Sequence, residues 1–395
     1  MSTSRKLKLG VAGLGRGFML MLPTFRAHPG VELVAAADLR GESREQFVRE
    51  FGGRAHARFE DLCDDPDVEA IYIATPHQLH AAQVIAAAAR GKHLMVEKPM
   101  AITLAECASM IDASRRARKH LLVGHSHSFD APYLHAKKLI QSGAYGRPRM
   151  IHAFNYTDFL YRPRRPEELD TAQGGGVVFS QGAHQVDIVR MLGGGKASSV
   201  SATTGAWDPS RPTEGAYTAI MKFENGAFAS LTYSGFAHFD SDELVGWIGE
   251  LGQQRDGSGY GAARAALQGV SSGAAEAELK GTRAYGVGPT AERSAAGHNH
   301  FGSVIASCDG ADLRPLPNGV MIYDNARAWL DPLPVGAVPR AEVIDELYDA
   351  VVRGIAPLHD GEWAMATMEV CLAILESARE GREVRLEHQV EVTKQ

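Results

Sequence analysis

From Leu7 to about residue 126, apolar runs of strand length alternate with stretches in which apolar residues recur every three or four positions. The runs read "LKLGVAG", "VELVAAAD", "AIYIATP", "HLMVEKP" and "HLLVGH"; between them lie a helix from Phe18, "SREQFVREFG", "AAQVIAAAARG" and one further helix. Strands that are apolar throughout and separated by helices predict a parallel, doubly wound sheet, covered on both faces. The pattern then changes. Longer alternating runs follow, in "PRMIHAFNYTDF", "SSVSATTGAW" and "GAYTAIMKFENGAFASLTYSGF". The last of these folds back at Glu224-Asn225-Gly226, where Asn-Gly supplies the positive backbone angles of a hairpin turn. The expected architecture is therefore α/β, with a doubly wound domain over 1–126 and a second α/β domain over 127–395 built on a largely antiparallel sheet.

Two later segments refine this picture. Residues 253–297 are rich in Gly, Ala and Ser and poor in apolar anchors, which predicts a mobile loop with one helix. "DGEWAMATMEVCLAILESAREGREVRL" carries helical periodicity from Trp363, a stop at Gly381 and a closing strand. No internal repeat is visible.

Composition narrows the function classes. A chain of 395 residues with 45% hydrophobic content can bury two cores. Its 41 basic and 47 acidic residues give a net charge of −6, which argues against nucleic acid or an acidic membrane as the main partner. Cys63, Cys107, Cys308 and Cys371 stand far apart without a CxxC pair, so neither a disulfide framework nor a metal site is expected. No run is long enough to span a bilayer, and "MSTSRKLKLGVAG" has no signal-peptide pattern. The expected setting is the cytoplasm.

Candidate chemistry clusters at strand exits. Gly13, Gly15, Arg16, Gly17 and Phe18 occupy the turn between the first strand and first helix, where glycines let a backbone approach a pyrophosphate and a helix N-terminus attracts it. Phe18 stands where the fingerprint wants its third small residue, with Gly17 one place early. Asp38 ends the second strand, at the place of the acidic residue that receives the ribose hydroxyls of NAD. Its charge repels the additional phosphate of NADP, although Arg40 can blunt that repulsion; NAD is the expected cofactor, NADP less so. At "IATPHQLH", Thr75, Pro76, His77 and His80 are placed as cofactor neighbours, with ordinary helix-start roles as the bland alternative.

Glu97-Lys98-Pro99 is an unusual strand exit. A lysine beside oxidised nicotinamide has its ammonium form disfavoured, and a pKa lowered from about 10.4 towards 7 or 8 makes it a competent base for a hydroxyl proton. In "GGGVVFSQGAHQVDIVRMLGG", Ser180, His184 and Asp187 fall at spacings of four and three on one helix face, after glycines that permit close approach. A lone helix histidine is more often a core residue; its neighbours on that face favour a substrate role. His125 and His127 of "VGHSHSF" also follow a strand end and are candidates for the pocket.

"GVAGLGRGF", "EKP", "GGGxxxxxGxHxxD" and the ending "DGEWAMATMEVCLAILESAREGREV", in this order, resemble the Gfo/Idh/MocA oxidoreductase family over nearly the whole chain. The resemblance implies a Rossmann domain, a second domain whose open sheet makes homo-oligomer contacts in a dimer or tetramer, and NAD(P)-dependent oxidation of a secondary alcohol. Lys98 then corresponds to the family lysine and His184 to the family histidine, the two catalytic residues. Polyol-acting members have aspartate where this chain has Ser180, which puts a carboxylate relay in doubt, and with it a sugar or inositol substrate.

One loop suggests another substrate. "YRPRRPEEL" sets Tyr161, Arg162, Arg164 and Arg165 between prolines in an acidic chain, just before the glycine-led approach to His184. Arginine forks match carboxylates through paired hydrogen bonds, and proline limits the conformations that binding must freeze. Solvated surface is the bland alternative. Within the family, this loop together with "CDGADLRPLPNGVMIYD" looks most like members that oxidise a cyclohexadiene cis-diol with two adjacent carboxylates, phthalate 4,5-cis-dihydrodiol to 4,5-dihydroxyphthalate. The expected partner is thus a small dicarboxylate diol, and the ketone formed tautomerises to an aromatic catechol, which lessens the need for a proton relay. Competing readings are a dehydrogenase of a sugar, inositol or another carboxylated alcohol, and a nicotinamide-sensing regulator without turnover.

Overall fold

The computed structural model describes residues 5–124, 126–287 and 295–392. The described residues form two compact units. The first takes in the described parts of Met1–His125, Glu278–Glu292 and Gly336–Met365; the second those of Ser126–Ala277, Arg293–Val335 and Ala366–Gln395. The leading segment of the first unit ends beside the expected boundary. The two later returns of the chain to that unit are carried by no local pattern.

In the first unit a six-stranded parallel sheet runs in the order β3-β2-β1-β4-β5-β6. Its strands are β1 (Leu7–Ala12), β2 (Val31–Ala37), β3 (Arg54–His56), β4 (Ala70–Ile73), β5 (His93–Val96) and β6 (Leu121–Val123). β4 is buried along its whole length, and Leu9, Val11, Leu94 and Val96 are fully buried beside it, as both-face coverage requires. β3 has three residues and no apolar run, so periodicity does not announce it. Among the helices, Leu104–Ala117 starts from a reciprocal cap: the Thr103 hydroxyl accepts from the Glu106 N–H, and the Glu106 carboxylate accepts from the Thr103 N–H. Strand order reverses between β1 and β4, the place where open α/β sheets bind nucleotides.

The second unit is built on a nine-stranded sheet, β14-β13-β12-β11-β7-β10-β9-β8-β15. These strands are β7 (Pro148–Tyr156), β8 (Ala197–Gly205), β9 (Ala216–Phe223), β10 (Phe228–Ser234), β11 (Ser303–Cys308), β12 (Ala311–Leu316), β13 (Gly319–Asp324), β14 (Ala328–Pro332) and β15 (Val384–Arg385). Every pairing is antiparallel except β7 with β10. The hairpin from β9 to β10 turns at Glu224-Asn225-Gly226 as expected, by a different device. Only Gly226 has a positive φ; Asn225 instead accepts from the Ala227 N–H through Oδ1 and donates through Nδ2 to the Gly193 carbonyl.

The helix Ala183–Gly193 packs on β7 and β10, and all of its residues are buried. Because it carries His184, Gln185, Asp187 and Arg190, its burial depends on partners for each polar group. Gln185 accepts from the Tyr217 hydroxyl and donates to the Thr232 carbonyl. Asp187 accepts from Ser128 and Thr367, and Arg190 donates to Thr367 and Gln389. The closing helix runs Gly361–Glu380, stops at Gly381 in the left-handed region, and leads to β15.

Residues 253–297 hold two short helices, Ala262–Leu267 and Gly273–Gly281, where one was expected. Residues 288–294 of that segment, and His125, lie outside the described residues.

Candidate functional site

In the first unit, the turn after β1 has the properties a dinucleotide needs. Gly13 has φ +89°, and a side chain there would come within 2.9 Å of the Ala74 carbonyl, so only glycine lets β1 and β4 close at this point. Gly15 faces open space, and the helix Arg16–Ala27 that follows has no side-chain cap and no acidic residue in its first turn. Uncapped N–H groups next to open space suit a pyrophosphate. Phe18 is fully buried and stacks on Phe25, so it supports the turn from beneath; Gly17 packs on Ala74 and Glu97. Arg16 is exposed at the start of the helix.

Asp38 accepts from the Leu14 N–H at 2.7 Å, the Arg40 N–H at 2.9 Å, Arg40 Nε at 2.9 Å and Arg40 Nη2 at 2.8 Å. Burial disfavours its charge, but the Arg40 fork and the two backbone donors outweigh burial and hold the carboxyl below its usual range. A carboxylate offers about four acceptor positions, and all are taken. A further donor reaches Asp38 only when Arg40 gives way.

The Leu14 peptide is held from its other side by a residue absent from the sequence-based candidates. Its carbonyl accepts from the Tyr285 N–H at 3.2 Å. The Tyr285 ring packs edge-on against Phe18, its hydroxyl donates to Glu50, and its carbonyl accepts from Ser43.

Of the remaining candidates in this unit, Thr75 donates to Gln83, Pro76 lies at partial exposure beside it, and His77 begins the short helical turn His77–Leu79. His80 is buried, with Nδ1 facing the Pro99 carbonyl at 3.1 Å and Nε2 facing the Thr75 carbonyl at 3.0 Å. Two carbonyls can both accept only from an imidazolium, whereas burial lowers the pKa of this ring. The neutral ring satisfies one of the two. His80 thus braces the turn Glu97-Lys98-Pro99. Glu97 is braced as well, since it accepts from the buried Tyr72 hydroxyl. Lys98, half-buried, stands between these two anchors, and the Lys98–Pro99 bond is cis.

In the second unit, two histidines form the centre of a polar cluster. The His127 N–H donates to His184 Nδ1 at 3.3 Å, and the two rings meet edge to face with centroids 4.7 Å apart. Both rings pack against Phe301, which stacks on Tyr233. His127 Nδ1 lies 2.6 Å from Asp130 Oδ2.

Glu250, a second residue missing from the candidates, is electrostatically coupled to Arg162, His127 and His300. Burial works against its charge, and those three groups more than offset burial, so its carboxyl lies below the usual range. Asp242 behaves oppositely: burial and Glu250 push it up to about 6, despite Arg255 and a His300 ring at 3.6 Å. His127 was a candidate from the sequence, and its partner Asp130 was not. Glu250, Asp242 and His300 had no local signal.

The arginine loop divides. Arg162 donates to Asp158 at 3.0 Å and lies 3.8 Å from Glu250; burial lowers its pKa and the two carboxylates raise it further, for a net increase. Arg164 lies flat over Phe159, 3.5 Å from the ring centroid, and donates to the Phe159 carbonyl; burial brings it down to about 10. Arg165 pairs with Glu167 and Glu168 in its own turn. The Tyr161 hydroxyl donates to Asp208. Among the described ion pairs of the three arginines, that of Arg162 reaches Glu250.

The helix-face expectation also changes. Ser180 lies in a π-helical turn, Val178–Gly182, ahead of the α-helical Ala183–Gly193, so its register to His184 is not that of one regular helix. Both oxygens of Asp187 take hydrogen bonds from Ser128 and Thr367. At Gly176 the group in close approach is the Glu214 carboxylate of the protein itself, which occupies the place where a side chain would begin.

Comparison with known proteins supplies a context. Residues 7–125 match the model of an oxidoreductase family with an NAD-binding Rossmann fold, and residues 133–253 match a GFO/IDH/MocA C-terminal domain. A Comamonas testosteroni protein, 1-carboxy-3-chloro-3,4-dihydroxycyclo hexa-1,5-diene dehydrogenase, is 48% identical over 94% of this chain and 95% of its own. The crystal structure of a putative dehydrogenase from Bordetella bronchiseptica superposes with a TM-score of 0.91 at 40% identity, over 96% of this chain and 100% of that one. Levoglucosan dehydrogenase in complex with NADH and levoglucosan has the same fold, with a TM-score of 0.74 at 20% identity over 97% of this chain and 100% of its own.

Proposed function

The chain belongs to the Gfo/Idh/MocA family of NAD-binding oxidoreductases, and we propose that it oxidises one carbinol of a carboxylated cyclic cis-dihydrodiol. The observation that carries this reading is geometric: Arg162 lies 3.8 Å from Glu250, the Glu250 carbonyl accepts from the His300 N–H at 3.3 Å, and the next residue, Phe301, packs on both His127 and His184. Hydroxyl-binding groups and a carboxylate-binding group thus belong to one cluster. The relative from Comamonas testosteroni, named for a carboxylated dihydroxycyclohexadiene, supports the same substrate class.

Bound NAD supplies the acceptor for the hydride that leaves the carbinol carbon. Lys98 takes the hydroxyl proton as the C=O bond forms, and its bracing by His80 and Tyr72 through the flanking residues fixes its approach. His184 accepts a backbone N–H at Nδ1, so its neutral ring carries hydrogen at Nε2 and donates to the carbinol oxygen. Arg162 holds a ring carboxylate, exchanging for it the contacts it makes with Asp158 and Glu250. Ser180 supplies no relay carboxylate, and the gain of aromaticity in the tautomerising product reduces the need for one. Asp187, engaged by Ser128 and Thr367, holds the helix in place.

The dicarboxylate of phthalate 4,5-cis-dihydrodiol is the first candidate substrate from the arginine loop. The internal engagement of Arg164 and Arg165 favours a second reading, a monocarboxylated ring. Wild-type protein assayed with NAD against phthalate cis-4,5-dihydrodiol, a monocarboxylated cyclohexadiene cis-diol and myo-inositol tests all three. Selective NADH formation with either carboxylated diol is expected; selective turnover of myo-inositol would overturn the substrate class. Loss of turnover in Lys98→Ala with NAD binding retained is expected of an enzyme and excludes a sensor. For a homo-oligomer, the exposed Met150, Ile220, Phe228 and Tyr323 on the strands of the nine-stranded sheet are the proposed contact face, to be checked by sedimentation of the wild type and Phe228→Glu.

A further inference from the structure

Two adjacent imidazoles in the second unit carry their hydrogens at opposite positions. His184 Nδ1 accepts from the His127 N–H, which leaves hydrogen at His184 Nε2. His127 Nδ1 lies 2.6 Å from Asp130 Oδ2, and a carboxylate accepts, so the neutral His127 ring carries its hydrogen at Nδ1 and accepts at Nε2. Asp130 is itself placed, because its Oδ1 faces Asn299 Nδ2 at 3.4 Å and its backbone carbonyl accepts from Tyr133. The rings are buried and meet 4.7 Å apart between centroids. One ring therefore offers a donor and its neighbour an acceptor.

We propose that His127, fixed as an acceptor by Asp130, reads the second hydroxyl of a vicinal diol while His184 donates to the first. This rests on the substrate class proposed above and adds the groups that demand two adjacent hydroxyls rather than one. Two donors would leave a diol hydroxyl hydrogen without a partner; two acceptors would leave the forming carbonyl without a donor. The opposed pair satisfies both oxygens. A buried acceptor whose substrate hydroxyl is missing stays unsatisfied, and sites of that kind reject the analogue strongly. Glu250, Arg162 and His300 belong to the same cluster: Arg162 lies 3.8 Å from Glu250, and the Glu250 carbonyl accepts from the His300 N–H. None of them bonds His127 Nδ1, so the tautomer depends on Asp130.

The test uses stable product analogues on the full-length protein with NADH. Dissociation constants of 3,4-dihydroxybenzoate and of 4-hydroxybenzoate from the NADH complex are measured for the wild type, His127→Phe and Asp130→Asn. The wild type should favour the dihydroxy compound by roughly 10- to 100-fold. His127→Phe should bring the ratio near one. Asp130→Asn, nearly isosteric, should lower it as well, since an amide can donate to Nδ1 and turn Nε2 into a donor. NADH affinity, followed by fluorescence, should be unchanged in both variants. An undiminished ratio in Asp130→Asn and His127→Phe, with NADH affinity intact, would overturn the assignment. Should His127→Phe fail to fold, Asp130→Asn decides alone. A wild type that turns over no carboxylated cyclic cis-diol refutes the substrate class itself, an outcome distinct from unchanged ratios in an active enzyme.

Discussion

The backbone N–H of His127 donates to Nδ1 of His184 at 3.3 Å, and this single bond decides what His184 can do. A neutral imidazole that accepts at Nδ1 carries its hydrogen at Nε2, which suits the proposed role of His184 as donor to the carbinol oxygen and not that of the base that removes its proton. The base has to come from elsewhere, and Lys98 is the proposed one. His184→Ala should lower kcat/KM by about 10²-fold, as the loss of one donor to a developing charge does. Steady-state kinetics at saturating NAD checks this. A loss confined to the acidic side of the pH profile would indicate a base instead.

The arginine loop gives a graded prediction. Arg162 is coupled to Glu250, whereas Arg164 is stacked on Phe159 and bonded to its carbonyl. Arg162→Ala should raise KM for a carboxylated substrate by roughly 10- to 100-fold with kcat little changed, the pattern of lost uniform binding. Arg164→Ala should instead lower the melting temperature by several degrees, since about 1 kcal/mol of stacking and a hydrogen bond are lost. Arg165→Ala should do little to either. Equal KM effects at all three positions would refute this division.

Cofactor preference follows from the pair at Asp38. Arg40 fills the carboxylate with a two-pronged contact of 2.9 and 2.8 Å. Arg40→Ala frees the acceptor positions that ribose hydroxyls need, and should raise the ratio of NAD to NADP specificity by about tenfold. Asp38→Ala leaves Arg40 available to a phosphate and should move that ratio the other way. Movement of both variants in the same direction would break the argument.

These relationships show what the sequence carries and what it does not. Fully buried strands of the first unit are legible because they are apolar throughout, while the three-residue β3 is not. The glycine turn and the Lys98 strand exit are local patterns, so they could be placed directly. Partners of the loop arginines were half legible: Asp158, Glu167 and Glu168 lie within four residues of an arginine, whereas Glu250 reaches Arg162 only through the fold. The helix-face argument placed His184 and misjudged its company, because a π-helical turn at Val178–Gly182 breaks the regular spacing. Tyr285 lies in a segment whose Gly, Ala and Ser content reads as loose chain. A single well-anchored aromatic in such a segment has no periodicity to reveal it.

Asp242 makes stability depend on pH. Its carboxyl is pushed up to about 6 by burial and by Glu250, with Asp240 adding to the shift and Arg255 and His300 opposing it. Between roughly pH 4 and 6 the folded protein keeps a proton that the unfolded chain has lost. Stability attributable to this group therefore falls as pH rises through that window, and the penalty is complete above it. Asp242→Asn removes the penalty while an amide oxygen can still accept from Arg255. The melting temperature of the variant relative to wild type should rise from pH 4 to pH 7; a difference that does not vary with pH would contradict the assignment.

Tyr285 links a distant stretch of sequence to the glycine turn after β1. Leu14, the residue between the two leading glycines of the turn, is held on both sides: its N–H donates to Asp38, and its carbonyl accepts from the Tyr285 N–H. The tyrosine backbone is held in turn by its ring on Phe18, its hydroxyl on Glu50 and the Ser43 bond to its carbonyl. Tyr285→Ala keeps the N–H but removes the ring and hydroxyl that position it. The glycine turn then has to be ordered by the coenzyme as it binds, at an entropic cost of about 1–2 kcal/mol for one residue's backbone. The expected result is a Kd for NAD about tenfold weaker, with kcat at saturating NAD nearly unchanged because the reacting groups are untouched. Tyr285→Phe loses only the hydroxyl bond and should fall between Ala and wild type. Titration of intrinsic fluorescence with NAD measures all three proteins, and a Tyr285→Ala variant that binds NAD as tightly as wild type would show that the turn holds its shape without this anchor.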